Sequence, residues 1–322
     1  WVLCFDEHCH ETLVALRRPH LRPIRQAEFE AGDPALAAAK ANRPHVQYFF
    51  TCTPSLPLFI LRAHPEVDLI TYLDADLYFF SSVEPVIREM ADHSVAITEH
   101  RWPPGMEHMN IYGRFNVGLI TFRRDEPAFA CLAWWRERCL ESCDTNPATG
   151  RYGDQKYLDE WPTRFGGVAI LRHKGVNAGG GNLANYLVTQ RGASVSLDDD
   201  SLVFFHFHGL KRLRPWLFDF HLAHYGVMPS DPILRGIFAP YLDTLLRHEK
   251  EVLGRLPAAQ SDSPPTALSR TSIATNILRR NFGAVVGGQL LVPPTWSMNL
   301  YLKFRNRRDR QRQAAIHQAA QI

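Results

Sequence analysis

The chain has 322 residues, of which 45% are hydrophobic and 11% aromatic, and a formal net charge of +3. That apolar content supplies a real core, which excludes a disordered or fibrous chain and allows one large α/β domain with an extension, or two modest domains. The charge is uneven: residues 279–312 hold eight Lys or Arg against Asp309 alone, a local +7, so the remainder carries about −4. Trp1 opens directly into the strand-like run Trp1–Phe5, with no leader pattern, as expected of a fragment whose start lies upstream.

Further strand-like runs follow at Val46–Thr51, Leu69–Leu73, Val95–Thr98, Val117–Phe122, Val168–Leu171 and Leu202–Phe207. Between them, Ser82 can cap a helix over Val83–Met90 with Pro85 in its first turn, and another helix is expected from about Pro127 to Cys143. This alternation predicts a mainly parallel central sheet flanked by helices, with ligands at the carboxyl ends of its strands. Residues 240–255 read as a charged amphipathic helix, closing a catalytic domain over 1–256. A Ser/Pro/Ala linker spans 257–270, and 271–322 form a basic, aromatic tail with Trp296, Leu300, Tyr301 and Phe304 near Lys303, Arg305, Arg307, Arg308, Arg310 and Arg312. Residues 281–302 are uncharged, but Pro293-Pro294 and scattered Gly and Asn argue against a spanning helix. The tail is expected either to lie on an anionic membrane surface or to be an RNA-binding or solvated end.

The six cysteines, Cys4, Cys9, Cys52, Cys131, Cys139 and Cys143, form no CxxC pair and read as free thiols of a cytosolic protein.

Asp74-Ala75-Asp76 is the most informative motif. It follows the apolar run Val67–Leu73 and precedes Leu77-Tyr78-Phe79-Phe80, an unusual setting for a solvated turn. Residues i and i+2 of a strand share a side, so both carboxylates can converge on one point, and a divalent cation is the simplest group to relieve their repulsion. Carboxylate oxygens suit Mg²⁺ or Mn²⁺. Phe204–Arg212 adds His206 and His208 on one strand face, followed by Gly209, Lys211 and Arg212. Imidazole is a common metal ligand, and the cations can hold phosphate. Asn116-Val117-Gly118 opens a strand with an amide and a glycine, Gly153-Asp154-Gln155 places an acid and an amide at a helix start, and Gly175–Asn182, with Asn177, is an amide-bearing glycine-rich loop suited to a polyhydroxy or phosphate ligand. That loop lacks the Lys-Ser/Thr of an ATPase loop.

In this order, Leu73-Asp74-Ala75-Asp76, Asn116-Val117-Gly118, Asp154-Gln155 and His206-Phe207-x-Gly209-x-x-Arg212 resemble the motifs of GT-A fold glycosyltransferases of the glycogenin and lipopolysaccharide galactosyltransferase type, over roughly residues 1–225. The resemblance implies a Rossmann-like nucleotide-diphospho-sugar transferase with a UDP-sugar donor and Mn²⁺ or Mg²⁺ held by Asp74, Asp76 and His206. It also implies diphosphate contacts from Gly209, Arg212 and the adjacent Lys211, with Ala75 and Asn177 on the donor. Asn116, Asp154 and Gln155 would line the sugar pocket, and transfer to a glycan or glycolipid would retain configuration at the cytoplasmic membrane face. No nucleic-acid partner is expected.

Three departures stand out. The family's first, base-contacting strand would precede Trp1. Its arginine upstream of the acidic pair has no obvious counterpart, leaving Lys40, Arg43 or Arg62 as substitutes. Lys156 stands where the family carries a second Asp. The alternatives are a sugar-phosphate nucleotidyltransferase, or a nucleotide-sugar-binding module without turnover.

Overall fold

A computed structural model describes residues 1–253, 275–276, 279–286, 288–295 and 297. The linker at 257–270 and the basic cluster Lys303–Arg312 lie outside the described residues, as do Trp296, Leu300, Tyr301 and Phe304.

The chain is α/β, but the expectation of one mainly parallel, Rossmann-like sheet is overturned. Among the described residues the strands form several small sheets; apart from the parallel pair Val2–Cys4 and Pro23–Arg25 these are mixed or antiparallel, and most pairings are antiparallel. The largest core sheet has the order 69–73, 115–123, 95–99, 168–171. Its central strand, Phe115–Arg123, is buried almost throughout and runs antiparallel to both neighbours, and only the 95–99 and 168–171 pair is parallel. The physical reason is topological. Phe115–Arg123 inserts between strands that a simple alternating winding would have paired in parallel, and it follows Val95–Glu99 through a loop with one 3₁₀ turn, Glu107–Tyr112, rather than a crossover helix.

A second, three-stranded sheet pairs Phe204–His206 antiparallel with Leu77–Phe79 and parallel with Ala178–Gly179. Strands 69–73 and 77–79 therefore belong to different sheets, and Asp74-Ala75-Asp76 is the hinge between them.

The strand-like run Val46–Thr51 is instead part of a 19-residue helix, His45–Ala63, with Pro54 and Pro57 inside it. Ten of its residues from Tyr48 to Leu61 are buried, and the helix packs against Glu126–Glu141, whose Trp135 is fully buried. Tertiary burial overrides both β-propensity and proline here. Arg43 donates to the carbonyls of Cys139 and Leu140, satisfying orphan acceptors at the end of Glu126–Glu141.

Part of the presumed tail belongs to the body. Phe282–Val286 pairs antiparallel with Leu217–Asp219 in a four-stranded sheet that also contains Lys211–Arg214 and Gln289–Leu291. Arg280, counted among the basic residues of the tail, is 1% exposed; it donates to the carbonyls of Pro229 and Pro293 and pairs with Asp231. No helix among the described residues is long and apolar enough to cross a membrane.

Candidate metal centre and its cavity

Strand register assembles the site. His206 lies opposite Leu77, and the Phe207 N–H donates to the Asp76 carbonyl at 2.9 Å, which sets the imidazole beside the acidic triplet. On the other side, the Asp74 N–H donates to the Gly118 carbonyl at 3.0 Å, drawing Asn116-Val117-Gly118 against the same turn. Gly118 is required sterically: a Cβ there would lie 2.7 Å from Asn116 Oδ1 and 2.9 Å from the His206 ring. The glycine lets the central strand and the imidazole close on one another.

His206 Nε2 lies 3.0 Å from Asp76 Oδ1 and 3.8 Å from Asp74 Oδ2. Asp76, His206 and His208 each offer a ligand atom, all within 4.8 Å of one another. This set shares two members with the expected Asp74, Asp76 and His206 and adds His208; Asp74 stands at its edge, its Oδ1 accepting from the Tyr72 hydroxyl at 2.9 Å. Oxygen and imidazole donors gathered in this way fit a divalent cation.

The electrostatics divide the carboxylates. Burial raises the Asp74 carboxyl, only partly offset by His206 and the Tyr72 hydrogen bond. Burial also pushes Asp76 upward, but the hydrogen bond and charge of His206, with His208, outweigh it and leave Asp76 below its ordinary value. Asp154 is 5% exposed, and burial raises it to about 7, with a Thr53 hydrogen bond opposing and the Asp74 charge adding to the rise. His100 is driven down to about 3 by burial and is therefore neutral; its ring stacks on Trp102 at 4.6 Å.

These groups line one cavity of about 1130 Å³. Of the residues singled out from sequence, Asp74, Ala75, Asp76, Asn116, Asp154, Gln155, Asn177, His206 and His208 are on its wall. Asn116 Nδ2 lies 3.5 Å from Gln155 Oε1, and Gln155 Nε2 donates to the Tyr112 carbonyl at 3.0 Å, so the amides are oriented before any ligand arrives. Asp154 caps no helix; its backbone carbonyl accepts from the Trp135 indole at 2.8 Å. Asn177 holds a left-handed conformation at φ 57°, with Asn182 and the Arg101 guanidinium bonded to its carbonyl. The glycine-rich loop is thus anchored through a buried network.

The expected diphosphate residues lie elsewhere. Gly209, Lys211 and Arg212 are not on the cavity wall; Lys211 is exposed, and Arg212 donates to Glu249 at 2.6 Å and to the Pro215 carbonyl. Lys40 pairs with Glu30, and neither Lys40, Arg43 nor Arg62 reaches the cavity. Sequence reasoning passed over His100, Trp102, His221, His224 and Tyr225, all of which line it. Only the His-x-x-His spacing of His221 and His224 could have flagged that pair.

The fold and site define an α/β protein with a candidate metal centre on the wall of a large cavity. The chain belongs to the family of two Bacillus subtilis (strain 168) proteins, Uncharacterized protein YfnD and Uncharacterized protein YfnF. It is 30% identical to YfnD over 260 residues, which cover 80% of this chain and 82% of YfnD. It is 33% identical to YfnF over 256 residues, which cover 77% of this chain and 83% of YfnF. Neither name states an activity, and no family model matches the sequence.

Proposed function

We propose that this cavity transfers a hexose from a nucleotide-diphosphate sugar, a UDP-sugar in the first instance, to a glycan or glycolipid hydroxyl, with Mn²⁺ or Mg²⁺ and with retention of configuration. The observation that carries this reading is the approach of His206, from a distant part of the chain, to within 3.0 Å of Asp76 on the wall that also holds Asn116, Asp154 and Gln155.

Asp74, Asp76, His206 and His208 would hold the cation. Two imidazoles beside the carboxylates favour Mn²⁺ over the strictly oxygen-loving Mg²⁺. The bound cation would neutralise negative charge growing on the departing diphosphate. The chain's own residues do the rest. Asn116 and Gln155 orient the sugar hydroxyls, and the dry carboxyl of Asp154 becomes easier to ionise as positive charge develops at the anomeric carbon. The bond from that carbon to the diphosphate oxygen breaks, the acceptor oxygen bonds to the same carbon on the same face, and the acceptor proton passes to the departing phosphate oxygen. Gln155 is too poor a nucleophile for a covalent intermediate.

A sugar-phosphate nucleotidyltransferase is separated from this reading by its substrates, a nucleoside triphosphate and a sugar 1-phosphate. Membrane-surface docking through the basic tail belongs to the same reading.

The test is a panel of UDP-, GDP- and ADP-sugars with Mn²⁺, following release of the nucleoside diphosphate with and without added glycan acceptors. Turnover that disappears with EDTA and in Asp76→Asn is expected. Inactivity with every donor, or an Asp76→Asn variant as active as wild type, defeats the reading. Product formed instead from nucleoside triphosphate and sugar 1-phosphate selects the nucleotidyltransferase.

A further inference from the structure

The cavity brings three carboxylates, Asp74, Asp76 and Asp154, to a site read as binding a diphosphate, yet no Lys or Arg side chain is on its described wall. Arg212 is already committed to Glu249 and the Pro215 carbonyl. Phosphate oxygens need donors beyond a single cation; besides the Gly179–Gly181 backbone and several tyrosine hydroxyls, the wall offers imidazoles. His100 is neutral and covered by Trp102, while His206 is engaged with Asp76.

We propose that His221 and His224 form the oxyanion subsite of this cavity, donating imidazole N–H bonds to the phosphate oxygens of a nucleoside diphosphate. The proposal rests on the nucleotide-sugar reading and replaces the donors expected from Lys211 and Arg212.

Four observations converge on the pair. Both rings line the cavity and stack nearly parallel, with centroids 4.7 Å apart and planes at 22°. His221 adopts a left-handed backbone, φ 59° and ψ 5°, which is costly for a residue with a Cβ and persists where its surroundings enforce it. The enforcement is visible: the His221 N–H donates to Asp219 Oδ1 at 2.8 Å, Asn281 Nδ2 donates to that same oxygen, and Asn281 Oδ1 accepts from the Ala223 N–H at 3.0 Å. The segment entering Phe282–Val286 therefore clamps the turn that presents both histidines.

Gly209 supplies the fourth. Its φ is +84°, and a Cβ there would fall 2.6 Å from His221 Cδ2. The glycine expected to touch the diphosphate is the spacer that seats the His221 ring. Partial burial and then the neighbouring His224 lower the His221 pKa, and a neutral imidazole still offers one N–H.

The test measures binding rather than turnover. Inorganic pyrophosphate and UDP are titrated by calorimetry into the Mn²⁺-loaded chain, with Mn²⁺ affinity measured separately by electron paramagnetic resonance. His221→Ala and His224→Ala are each expected to weaken both ligands about tenfold, as for a lost hydrogen bond to a charged group, with Mn²⁺ affinity held within twofold. His224→Gln, which keeps an N–H at an exposed position, should recover part of the loss and shows that the fold is intact. If both alanine variants bind pyrophosphate as wild type does, or if Arg212→Ala weakens it more than either, the subsite is wrong while the transferase reading stands. If the wild-type chain binds neither ligand with Mn²⁺, the nucleotide-sugar reading fails and this subsite fails with it.

Discussion

Two acidic turns face the same cavity and are built for opposite charge states. The 74–76 turn joins two sheets, and its Asp76 is held ionised by the His206 ring at 3.0 Å. The 153–155 turn sits under Trp135, the wall near Phe50 and the Tyr112 loop, where among the described residues Asp154 meets hydroxyl and hydrophobic neighbours but no cation, and its carboxyl rises to about 7. The same residue type thus prepares a charged ligand at one end and a carboxyl that can change state at the other. The difference is made by neighbours, since a carboxylate's role follows from what desolvates it and what pairs with it.

The largest effect should come from breaking the charged end. Asp76→Asn keeps the shape but removes the ionised oxygen opposite His206. Outer-shell partners alone are worth about 10- to 100-fold in metal affinity, so loss of a ligand should cost more than about 100-fold in Mn²⁺ binding and remove turnover. A Mn²⁺ titration followed by electron paramagnetic resonance reads this directly. Unchanged affinity would mean that the two ends do not differ in function.

The second test addresses the neutral end. Burial raises Asp154 from 3.8 to about 7, so folding disfavours its ionised form. The sign follows: the contribution is fully favourable below pH 3.8 and is lost as pH rises through about 7. At about 1.4 kcal/mol per unit, the metal-free wild type should lose on the order of 2–4 kcal/mol relative to Asp154→Asn between pH 4 and 8. Denaturant unfolding across that range, with EDTA present, measures it. Parallel curves for the two proteins would place Asp154 in a wetter setting than its burial indicates.

Much of this was legible in the chain, and the failures are as physical as the successes. Leu69–Leu73 and Val168–Leu171 appear with the expected bounds because short β-branched runs between polar ends have few other uses. Strand direction was not legible. Alternation reports which face is buried and says nothing about which neighbour lies alongside, so the antiparallel insertion of Phe115–Arg123 reversed the expected sheet. Val46–Thr51 failed because an aromatic, β-branched run serves equally well as the buried side of a helix. In the site, close spacing keeps Asp74 near Asp76 and His206 near His208, although neither pair shares a strand: 74–76 form the turn between Leu69–Leu73 and Leu77–Phe79, and Phe204–His206 ends before His208. His221 and His224 carried only a His-x-x-His spacing, a weak signal among 15 histidines. Their position depends on a clamp from Asn281, sixty residues downstream, that periodicity does not reveal.

Gly118→Ala tests the packing between the two turns. Its Cβ would press on Asn116 Oδ1 at 2.7 Å and His206 at 2.9 Å, neither of which is the free end of a long side chain. Overpacking of this kind costs about 1–3 kcal/mol, read as a lower thermal midpoint. The expected shift is accompanied by weaker Mn²⁺ binding, because relief of the clash displaces His206 as well as Asn116. A stable variant with normal metal affinity would separate the 115–123 strand from the metal centre.

The smallest effect decides where the charged end stops. Asp74 lies 3.8 Å from His206 and outside the tight set of Asp76, His206 and His208, yet the Tyr72 hydroxyl fixes its Oδ1 at 2.9 Å. If Asp74 is a ligand, Tyr72 is its outer support, and Tyr72→Phe removes one hydrogen bond to a carboxylate without changing volume much. A net loss of about 1 kcal/mol corresponds to roughly fivefold weaker Mn²⁺ binding, and that is the expected result. A change below twofold would remove Asp74 from the ligand set and leave one carboxylate with two imidazoles. Zinc outcompetes manganese at most nitrogen and oxygen sites, and the more so as imidazoles replace carboxylates, so the same titration repeated with Zn²⁺ and Mn²⁺ in competition should then show a larger zinc preference than a two-carboxylate site would give.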